Sequence, residues 1–303
     1  MKVLPDGVYP TMLTPFNENN EINYKDVEKL ISFYSESRVK GIFAVCQSSE
    51  MFYLSLEERV KLTKFIVDYT PKDMTVIASG HIADTVEQQI EDAKRIAAQG
   101  IHSYVFISNK LDPENLGDEV FQENAQKFLD AIPDITFGIY ECPYPYKRLI
   151  SPELLKWCAD TGRFSFLKDT CCDSRIIEKK LKAVEGSSLK IYNANSSTLL
   201  ETLKMGASGF SGVMGNFHPD LYKWLCDNYK KETEKAELVS DFLGIASVIE
   251  TRNYPTCGKY YLTLKKIFNS TCSRVQKDLE LPFSFKCEVE QLERFTNVVR
   301  SML

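Results

Sequence analysis

The chain alternates between short apolar runs and longer amphipathic stretches, and this alternation constrains its fold more than any other feature. Short runs rich in apolar and β-branched residues, bounded by turn signals, are typical of strands buried on both faces. Eight such runs occur, at residues 8–14, 41–45, 74–79, 103–107, 135–140, 164–168, 189–193 and 207–213. Stretches with helical periodicity lie between them, so strand and helix recur at intervals of about 20–35 residues.

Local signals support the helices between these runs. Residues 55–58 read Ser-Leu-Glu-Glu, which is a capping box at a helix start. Gly100 follows a stretch with one apolar face, and Pro152 stands in the first turn of another helix. The repeated alternation predicts an α/β fold, a (β/α)8 TIM barrel. An open doubly wound sheet also alternates strands and helices, but it usually has fewer strands and a glycine-rich first turn, which this sequence lacks.

The strand signal stops at about residue 218. The remainder, 218–303, has the spacing of several helices, with apolar positions such as Leu221, Trp224 and Leu225. We therefore predict a barrel over 1–217 and a C-terminal helical extension over 218–303. No linker rich in proline, glycine or serine separates the two, so we expect one structural unit.

Composition and charge limit the binding partners and the cellular compartment that can be expected for this chain. The net charge is −5 and no stretch is strongly basic, which argues against nucleic acid as a partner. No apolar run is long enough to span a membrane, and the N-terminal residues lack the apolar region of a signal peptide. We expect a cytoplasmic protein with no membrane contact. The nine cysteines are scattered and are expected to be free thiols, and no Cys or His cluster has the spacing of a metal site.

In a barrel of this type the chemistry lies at the carboxyl ends of the strands. Lys168 closes the sixth run, 164–168, and Tyr140 closes the fifth, 135–140. A lysine in an apolar site has a lowered pKa, and its neutral amine can attack a carbonyl to form a Schiff base. A phenol within reach would serve as its proton shuttle. The alternative is a lysine at a strand end whose ammonium group reaches water.

Five segments in the expected order resemble one family. They are Gly-Val-Tyr-Pro-Thr-Met-Leu-Thr-Pro-Phe at 7–16, Cys-Gln-Ser-Ser-Glu at 46–50, Tyr-Glu-Cys-Pro at 140–143, Lys-Asp at 168–169, and Gly-Ala-Ser-Gly-Phe-Ser-Gly-Val at 206–213. The sequence is similar to the dihydrodipicolinate synthase and N-acetylneuraminate lyase superfamily, which are class I aldolases on a (β/α)8 barrel. The resemblance covers nearly the whole chain.

The resemblance implies roles for individual residues. Lys168 would form an imine with a 2-oxo acid, usually pyruvate, and Tyr140 would carry the proton to and from the substrate oxygen. Ser48 and Ser49, with their backbone amides, would hold the carboxylate, and Ser211 would lie at the wall of the site. The partners implied are a small 2-oxo acid and an aldehyde, with no metal and no organic cofactor. The resemblance also implies a homo-oligomer, a tetramer or a dimer.

The chain departs from the synthase branch at three places. Gln47 stands where synthases carry a threonine of the proton relay, and the stretch 107–110, Ile-Ser-Asn-Lys, has no counterpart of the second tyrosine. The synthase arginine falls near Pro145. These departures argue against dihydrodipicolinate synthase activity, which stays an alternative.

Three other interpretations are therefore open. In the neuraminate-lyase branch, Asn193 would contribute to binding the sugar, together with Asn195 and Ser196. An aldolase or dehydratase that acts on a sugar-derived or aromatic 2-oxo acid is the second. A barrel that binds a 2-oxo acid without turnover is the third, motivated by Gln47 and the missing tyrosine.

Overall fold

All eight predicted strands form, and they run parallel in one sheet. The computed structural model describes residues 3–277 and 279–303. The strands are β1 (Gly7–Val8), β2 (Gly41–Ala44), β3 (Thr75–Ala78), β4 (Ser103–Ile107), β5 (Thr136–Tyr140), β6 (Phe164–Asp169), β7 (Lys190–Asn193) and β8 (Gly209–Phe210). Their order is β1-β8-β7-β6-β5-β4-β3-β2. The regular parts of β1 and β8 are shorter than the predicted runs 8–14 and 207–213.

Hydrogen bonds beyond the short first strand close the sheet into a barrel. The amide of Lys40 donates to the carbonyl of Val8 at 3.1 Å, and the amide of Phe43 donates to the carbonyl of Pro10 at 3.0 Å. Thr11 and Phe43 then form a parallel bridge. The chain after β1 thus continues alongside β2, and the (β/α)8 barrel fold is confirmed.

A helix follows each strand. The eight helices are α1 (Tyr24–Glu36), α2 (Leu56–Tyr69), α3 (Val86–Ala97), α4 (Asp118–Ala131), α5 (Pro152–Asp160), α6 (Ser174–Ala183), α7 (Leu199–Lys204) and α8 (Pro219–Asn228). The predicted capping box is present, because Ser55 Oγ accepts from the Glu58 amide at 3.2 Å and Glu58 Oε2 accepts from the Ser55 amide at 2.9 Å. Pro152 opens α5 after Ser151, whose hydroxyl accepts from the amide of Leu154.

Aromatic side chains fill the barrel interior. The ring of Phe166 in β6 stacks on Tyr192 in β7 at 4.8 Å, and Tyr192 meets Tyr9 edge-on at 4.9 Å. Phe43 in β2 contacts both Phe166 and Tyr140, at 5.9 and 6.0 Å between ring centroids. Side chains two residues apart in a strand point to the same face, so Lys168 enters the barrel interior above Phe166. The candidate site lies directly above this layer of aromatic side chains.

Three further helices follow α8 in the C-terminal segment. They are α9 (Thr233–Ala246), α10 (Thr256–Leu264) and α11 (Phe283–Ser301). Glu50, in the loop after β2, accepts hydrogen bonds from Lys259 in α10, from Ser273 Oγ at 2.9 Å and from the amide of Val275 at 2.9 Å. A barrel loop is therefore tied to the C-terminal segment by a buried carboxylate. The division at residue 217 stays a prediction.

None of the helices in the described residues combines the length and apolar character that a membrane crossing needs.

Helix α8 packs on the barrel itself, since the ring of Tyr222 stacks on Phe210 of β8 with centroids 3.8 Å apart.

Candidate active site

Lys168 is buried at the carboxyl end of β6, with 4% of its surface exposed. Its Nζ atom lies 4.2 Å from the centroid of the Tyr140 ring. Among the described residues, no carboxylate lies within 4.0 Å of this ammonium group. Burial lowers the pKa of Lys168 from its usual 10.5, because a charged amine loses its hydration there. The residue therefore has the surroundings of a nucleophilic amine and not those of a surface lysine.

Tyr140 stands beside Lys168 in the sheet. The two residues are Cα partners in the register of β5 with β6. The Tyr140 hydroxyl donates to Gln47 Oε1 at 2.8 Å. Burial raises the pKa of Tyr140 well above 10.0, so the phenol keeps its proton at neutral pH. The site thus holds a protonated phenol whose ring contacts the amine.

The loop after β2 is a turn of 3-10 helix over Gln47–Ser49. Ser48 Oγ donates to Thr11 Oγ1 at 3.0 Å. Ser49 Oγ donates to the Met12 carbonyl at 2.6 Å and accepts from the Cys46 amide at 3.1 Å. The amide of Ser49 also donates to the Cys46 carbonyl, at 3.0 Å. The hydroxyl and amide groups of Ser49 therefore hold the loop, while the Ser48 hydroxyl bonds to the chain that follows β1.

The loop is entered and left through strained backbone. Val45 has φ of 37° and Glu50 has φ of 58°, both in the left-handed region that costs free energy for a residue with a side chain. The carboxylate of Glu50 binds α10 and the segment 273–275, which fixes the loop that carries Gln47 and Ser48.

A cavity of about 810 Å³ opens above these residues. Its wall is formed by the strand-end loops and by part of the C-terminal segment. The lining residues are Gln47, Ser48, Glu50, Phe52, Tyr53, Tyr140, Pro143, Tyr144, Lys147, Lys168, Thr170, Cys172, Ala194, Asn195, Gly212, Val213, Glu250, Tyr254, Pro255 and Val275. Four of the predicted site residues, Lys168, Tyr140, Gln47 and Ser48, thus share one cavity.

The predicted substrate-binding residues Ser49, Ser211 and Asn193 are not among the lining residues. Ser211 donates its hydroxyl to the Tyr9 carbonyl at 3.0 Å. Asn193 donates through Nδ2 to Thr198 Oγ1 at 2.9 Å and to Thr202 Oγ1 at 3.0 Å. Ser49 holds the loop as described above. Their neighbours in sequence line the cavity instead, and the binding roles of Ser49, Ser211 and Asn193 stay predictions.

The sequence analysis missed the lining residues that come from the C-terminal segment. Glu250 and Tyr254 lie in a region with no strand signal, so no rule about strand ends selects them. The dipeptide Tyr254-Pro255 marks a turn but says nothing about what the turn faces. Burial raises the pKa of Glu250 to about 7, and the charge of Lys168 opposes that rise.

The opposite side of β6 carries a separate charged cluster. Asp169 points away from the cavity and, together with Glu141, binds the buried ammonium group of Lys180 from α6. Glu141 also accepts from the amides of Ile150 and Thr170, each at 2.8 Å. The paired charges hold the loops after β5 and β6, one on each side of the site. Among residues 3–277 and 279–303, no group of three or more His, Cys, Asp or Glu side chains is placed to bind a metal ion.

Comparison of the sequence with protein-family models identifies the class of proteins to which this chain belongs. The model of the dihydrodipicolinate synthetase family matches residues 4–274, which is most of the chain. The chain belongs to that family.

Solved structures share the fold at low sequence identity. A monomeric dihydrodipicolinate synthase variant has a TM-score of 0.89 at 17% identity, with 97% of this chain and 98% of that chain covered. The chloride-inhibited dihydrodipicolinate synthase of Acinetobacter baumannii, solved with pyruvate, has a TM-score of 0.85 at 18% identity, covering 95% and 98%. The E. coli K12 prophage protein YagE, also solved with pyruvate, has 0.85 at 19%, covering 95% and 98%.

Proposed function

We propose that this chain is a class I aldolase or lyase that forms a Schiff base between Lys168 and a 2-oxo acid of the pyruvate type. One observation carries the proposal: a buried lysine, with no carboxylate within 4.0 Å among the described residues, contacts a buried tyrosine in the cavity at the carboxyl ends of the strands. Membership of the family supports it, as do the two relatives solved with pyruvate.

Binding of the 2-oxo acid places its carboxylate at the loop of Ser48. The hydroxyl groups of Ser48 and Thr11 can rotate together, so that Thr11 donates to Ser48 and Ser48 donates to the carboxylate. A hydrogen bond to an ionised acceptor is stronger than one between neutral groups. The C2 carbonyl then lies toward Lys168, which lines the same cavity.

Imine formation uses the lowered pKa of the amine. Neutral Lys168 attacks C2, and the carbinolamine loses its hydroxyl as water after taking a proton from Tyr140. The resulting iminium carries a positive charge that draws electrons from C3. Loss of a proton from C3, or cleavage of the C3–C4 bond, leaves an enamine, and addition of the enamine to an aldehyde is the reverse reaction.

Gln47 alters how Tyr140 recovers its proton. An amide oxygen accepts a hydrogen bond but does not hand on a proton as a hydroxyl group does. Gln47 therefore orients the phenol at 2.8 Å, and the phenol exchanges its proton with the substrate or with water in the cavity. The positive iminium beside the ring would stabilise the transient phenolate.

The experiment is reductive trapping with pyruvate and borohydride, followed by mass analysis of the peptides. We expect one reduced adduct, located on Lys168. Lys180 serves as the internal control, because it is buried but paired with two carboxylates and should stay unmodified. A folded protein that gives no adduct on Lys168 would contradict the proposal for pyruvate.

The amide at position 47 also favours a second candidate, a barrel that binds a 2-oxo acid without turnover. In that case pyruvate stabilises the fold, but no aldehyde is formed or consumed. Cleavage or condensation that Lys168→Ala abolishes would eliminate this candidate.

The structure gives no support to dihydrodipicolinate synthase activity, which stays an alternative. Arg148, near the position of the synthase arginine, pairs with Asp112 at 3.3 Å and Asp118 at 2.7 Å and does not line the cavity. Asn109, in the stretch where synthases have the second tyrosine, binds backbone carbonyls of the loop after β5. A coupled assay with pyruvate and aspartate semialdehyde tests this alternative directly.

The expected homo-oligomer, a tetramer or a dimer, also stays a prediction. One of the solved relatives described above is a monomeric variant.

A further inference from the structure

Glu250 is an ionisable group in the cavity that the proposed imine chemistry does not use. It lies in the short 3-10 helix Ser247–Thr251 between α9 and α10, so it reaches the site from outside the barrel strands. Within the described residues its carboxyl group has no hydrogen bond and no ion pair, in contrast to Glu50 on the same cavity wall. A half-buried carboxyl group left without a partner in a cavity is available to a bound molecule.

The pKa of Glu250 depends on whether Lys168 carries a charge. Lys168 of β6 opposes the burial effect that raises the pKa of Glu250 to about 7. Burial, and to a smaller extent the charge of Glu250 itself, raises the pKa of Tyr222 of α8 and of Cys257 of α10, that of Cys257 to about 12, so both groups are neutral near pH 7. When the neutral amine becomes a charged iminium, the carboxylate form of Glu250 is favoured.

The cavity offers little to bind a second anionic group. Among the described lining residues, only Lys168 and Lys147 are cationic. The imine occupies Lys168, while Lys147 is exposed at the rim and donates to the Thr170 carbonyl. The free acidic side chain on the wall repels a negative charge brought close to it. Neutral hydroxyl and carbonyl groups, in contrast, can exchange hydrogen bonds with a carboxyl group in either protonation state.

We propose that Glu250 is the acid–base group for the aldehyde oxygen of the second substrate, and that it selects neutral, hydroxylated aldehydes over anionic ones. This inference rests on the proposed Schiff-base function of Lys168.

In the cleavage direction, Glu250 takes the proton of the C4 hydroxyl group. The electrons of that O–H bond form the aldehyde carbonyl, the C3–C4 bond breaks, and its electrons enter the iminium to give the neutral enamine. In the synthetic direction the enamine attacks the aldehyde carbon, and Glu250 returns the proton to the oxygen. Tyr140 keeps the separate task of protonating the hydroxyl group that leaves C2.

The test compares wild type, Glu250→Gln and Glu288→Gln. Glu288 is a matched control, since it lies in the same C-terminal segment, pairs with Arg252 at the surface and does not line the cavity. Each protein is assayed for reductive trapping of pyruvate and for condensation of pyruvate with glyceraldehyde, which is neutral, and with succinic semialdehyde, which is anionic. Trapping on Lys168 shows that a variant is folded and binds the first substrate.

We expect wild type to condense glyceraldehyde faster than succinic semialdehyde. Glu250→Gln should form the reduced pyruvate adduct to the same final extent but lose about a hundredfold in kcat for glyceraldehyde, the range typical of a lost acid–base group. The bend near pH 7 in the wild-type profile for condensation should disappear in this variant. Glu288→Gln should match wild type in every assay.

Several outcomes would overturn the inference while leaving the imine proposal intact. They are wild-type condensation rates in Glu250→Gln, a wild-type preference for succinic semialdehyde, and an adduct on Lys168 without condensation of either aldehyde. If Glu250→Gln fails to fold, the wild-type pH profile and aldehyde preference decide by themselves. Absence of the adduct in wild type would instead contradict the proposed function.

Discussion

Two buried lysines lie on opposite sides of strand β6, and their surroundings differ in one respect. Lys180, on the outer side, binds both Glu141 and Asp169, and these carboxylates raise its pKa in spite of its burial. Lys168, on the inner side, has an aromatic ring at 4.2 Å and no carboxylate within ion-pair distance among the described residues, and burial lowers its pKa. Two buried lysines thus have pKa values shifted in opposite directions, because Lys180 has two carboxylate partners that offset its burial.

The comparison teaches that pairing with carboxylates, more than burial, decides in which direction the pKa of a buried lysine shifts. The adjacent residues Lys168 and Asp169 divide the two tasks, because successive side chains in a strand point to opposite faces. Asp169 supplies charge to the outer cluster without neutralising the inner amine. Each of the following experiments tests the surroundings of one of these two lysines.

The largest effect is expected for Lys168→Met. Without the amine no imine forms, so pyruvate trapping and any aldol activity should fall below detection. The free energy of unfolding should stay the same or rise, because an unpaired buried amine is replaced by an apolar side chain of similar length. Reductive trapping and chemical denaturation measure the two quantities, and a clear loss of stability would show that this lysine is structural.

Lys180→Met should have the opposite effects, since it should lower the free energy of unfolding and leave pyruvate trapping in place. Removing the ammonium group leaves Glu141 and Asp169 buried together without their cation, and breaking a buried pair costs about 3–5 kcal/mol. We expect that loss in the free energy of unfolding by urea denaturation. Protein that remains folded should still be trapped by pyruvate on Lys168, and loss of trapping in the folded fraction would contradict the division between the two sides.

The pH dependence of trapping reports on the amine itself. Burial lowers the pKa of Lys168, so the neutral, nucleophilic fraction grows with rising pH and reaches its plateau at a lower pH than an ordinary lysine would. The initial rate of adduct formation should therefore increase with pH, by up to about tenfold per unit below the midpoint. A midpoint at or above 10.5, the usual lysine value, would contradict the predicted environment.

Tyr140→Phe keeps the ring beside Lys168 but removes the proton donor. We expect the rate of imine formation to fall about a hundredfold, which is within the range for a lost acid–base group. The pKa of Lys168 should change little, since the ring that buries it remains. Single-turnover trapping at several pH values separates a lower rate from a shifted midpoint.

The smallest effect is expected for Gln47→Met. The substitution removes the amide oxygen that accepts from Tyr140 at 2.8 Å and keeps a side chain of similar length. A hydrogen bond of this kind contributes about 0.5–1.5 kcal/mol, so the rate should fall by roughly twofold to tenfold. A loss as large as that of Tyr140→Phe would mean that Gln47 takes part in proton transfer, beyond orienting the phenol.

Much of the fold could be predicted from local patterns. Alternating apolar runs and amphipathic stretches identified eight strands, and the capping box at Ser55 and the proline at 152 located two helix starts. The bounds of β1 and β8 could not be predicted as well, because only two residues in each keep regular pairing. The chain after β1 is held by single hydrogen bonds to β2, which leave no periodic pattern in the sequence.

The candidate site could also be predicted only in part from the sequence. Lys168 and Tyr140 could be chosen because strand ends meet at one edge of a parallel barrel, and the structure pairs them in register. Ser211 and Asn193 also follow that rule, yet their side chains bond to the Tyr9 carbonyl and to α7. A strand-end position does not state which way a side chain turns, and that direction follows from the donors and acceptors around it.

The sequence by itself determined the barrel, the family and the pair of residues at the ends of strands five and six, because these depend on periodicity, short motifs and strand order. The tertiary structure alone decided which buried lysine is paired, since the carboxylates that bind Lys180 come from β6 and from the residue that follows β5. It also brought Glu250 from the C-terminal segment into the cavity of Lys168. The pKa values of these groups depend on distance and burial, which are properties of the folded chain and leave no local signal in the sequence.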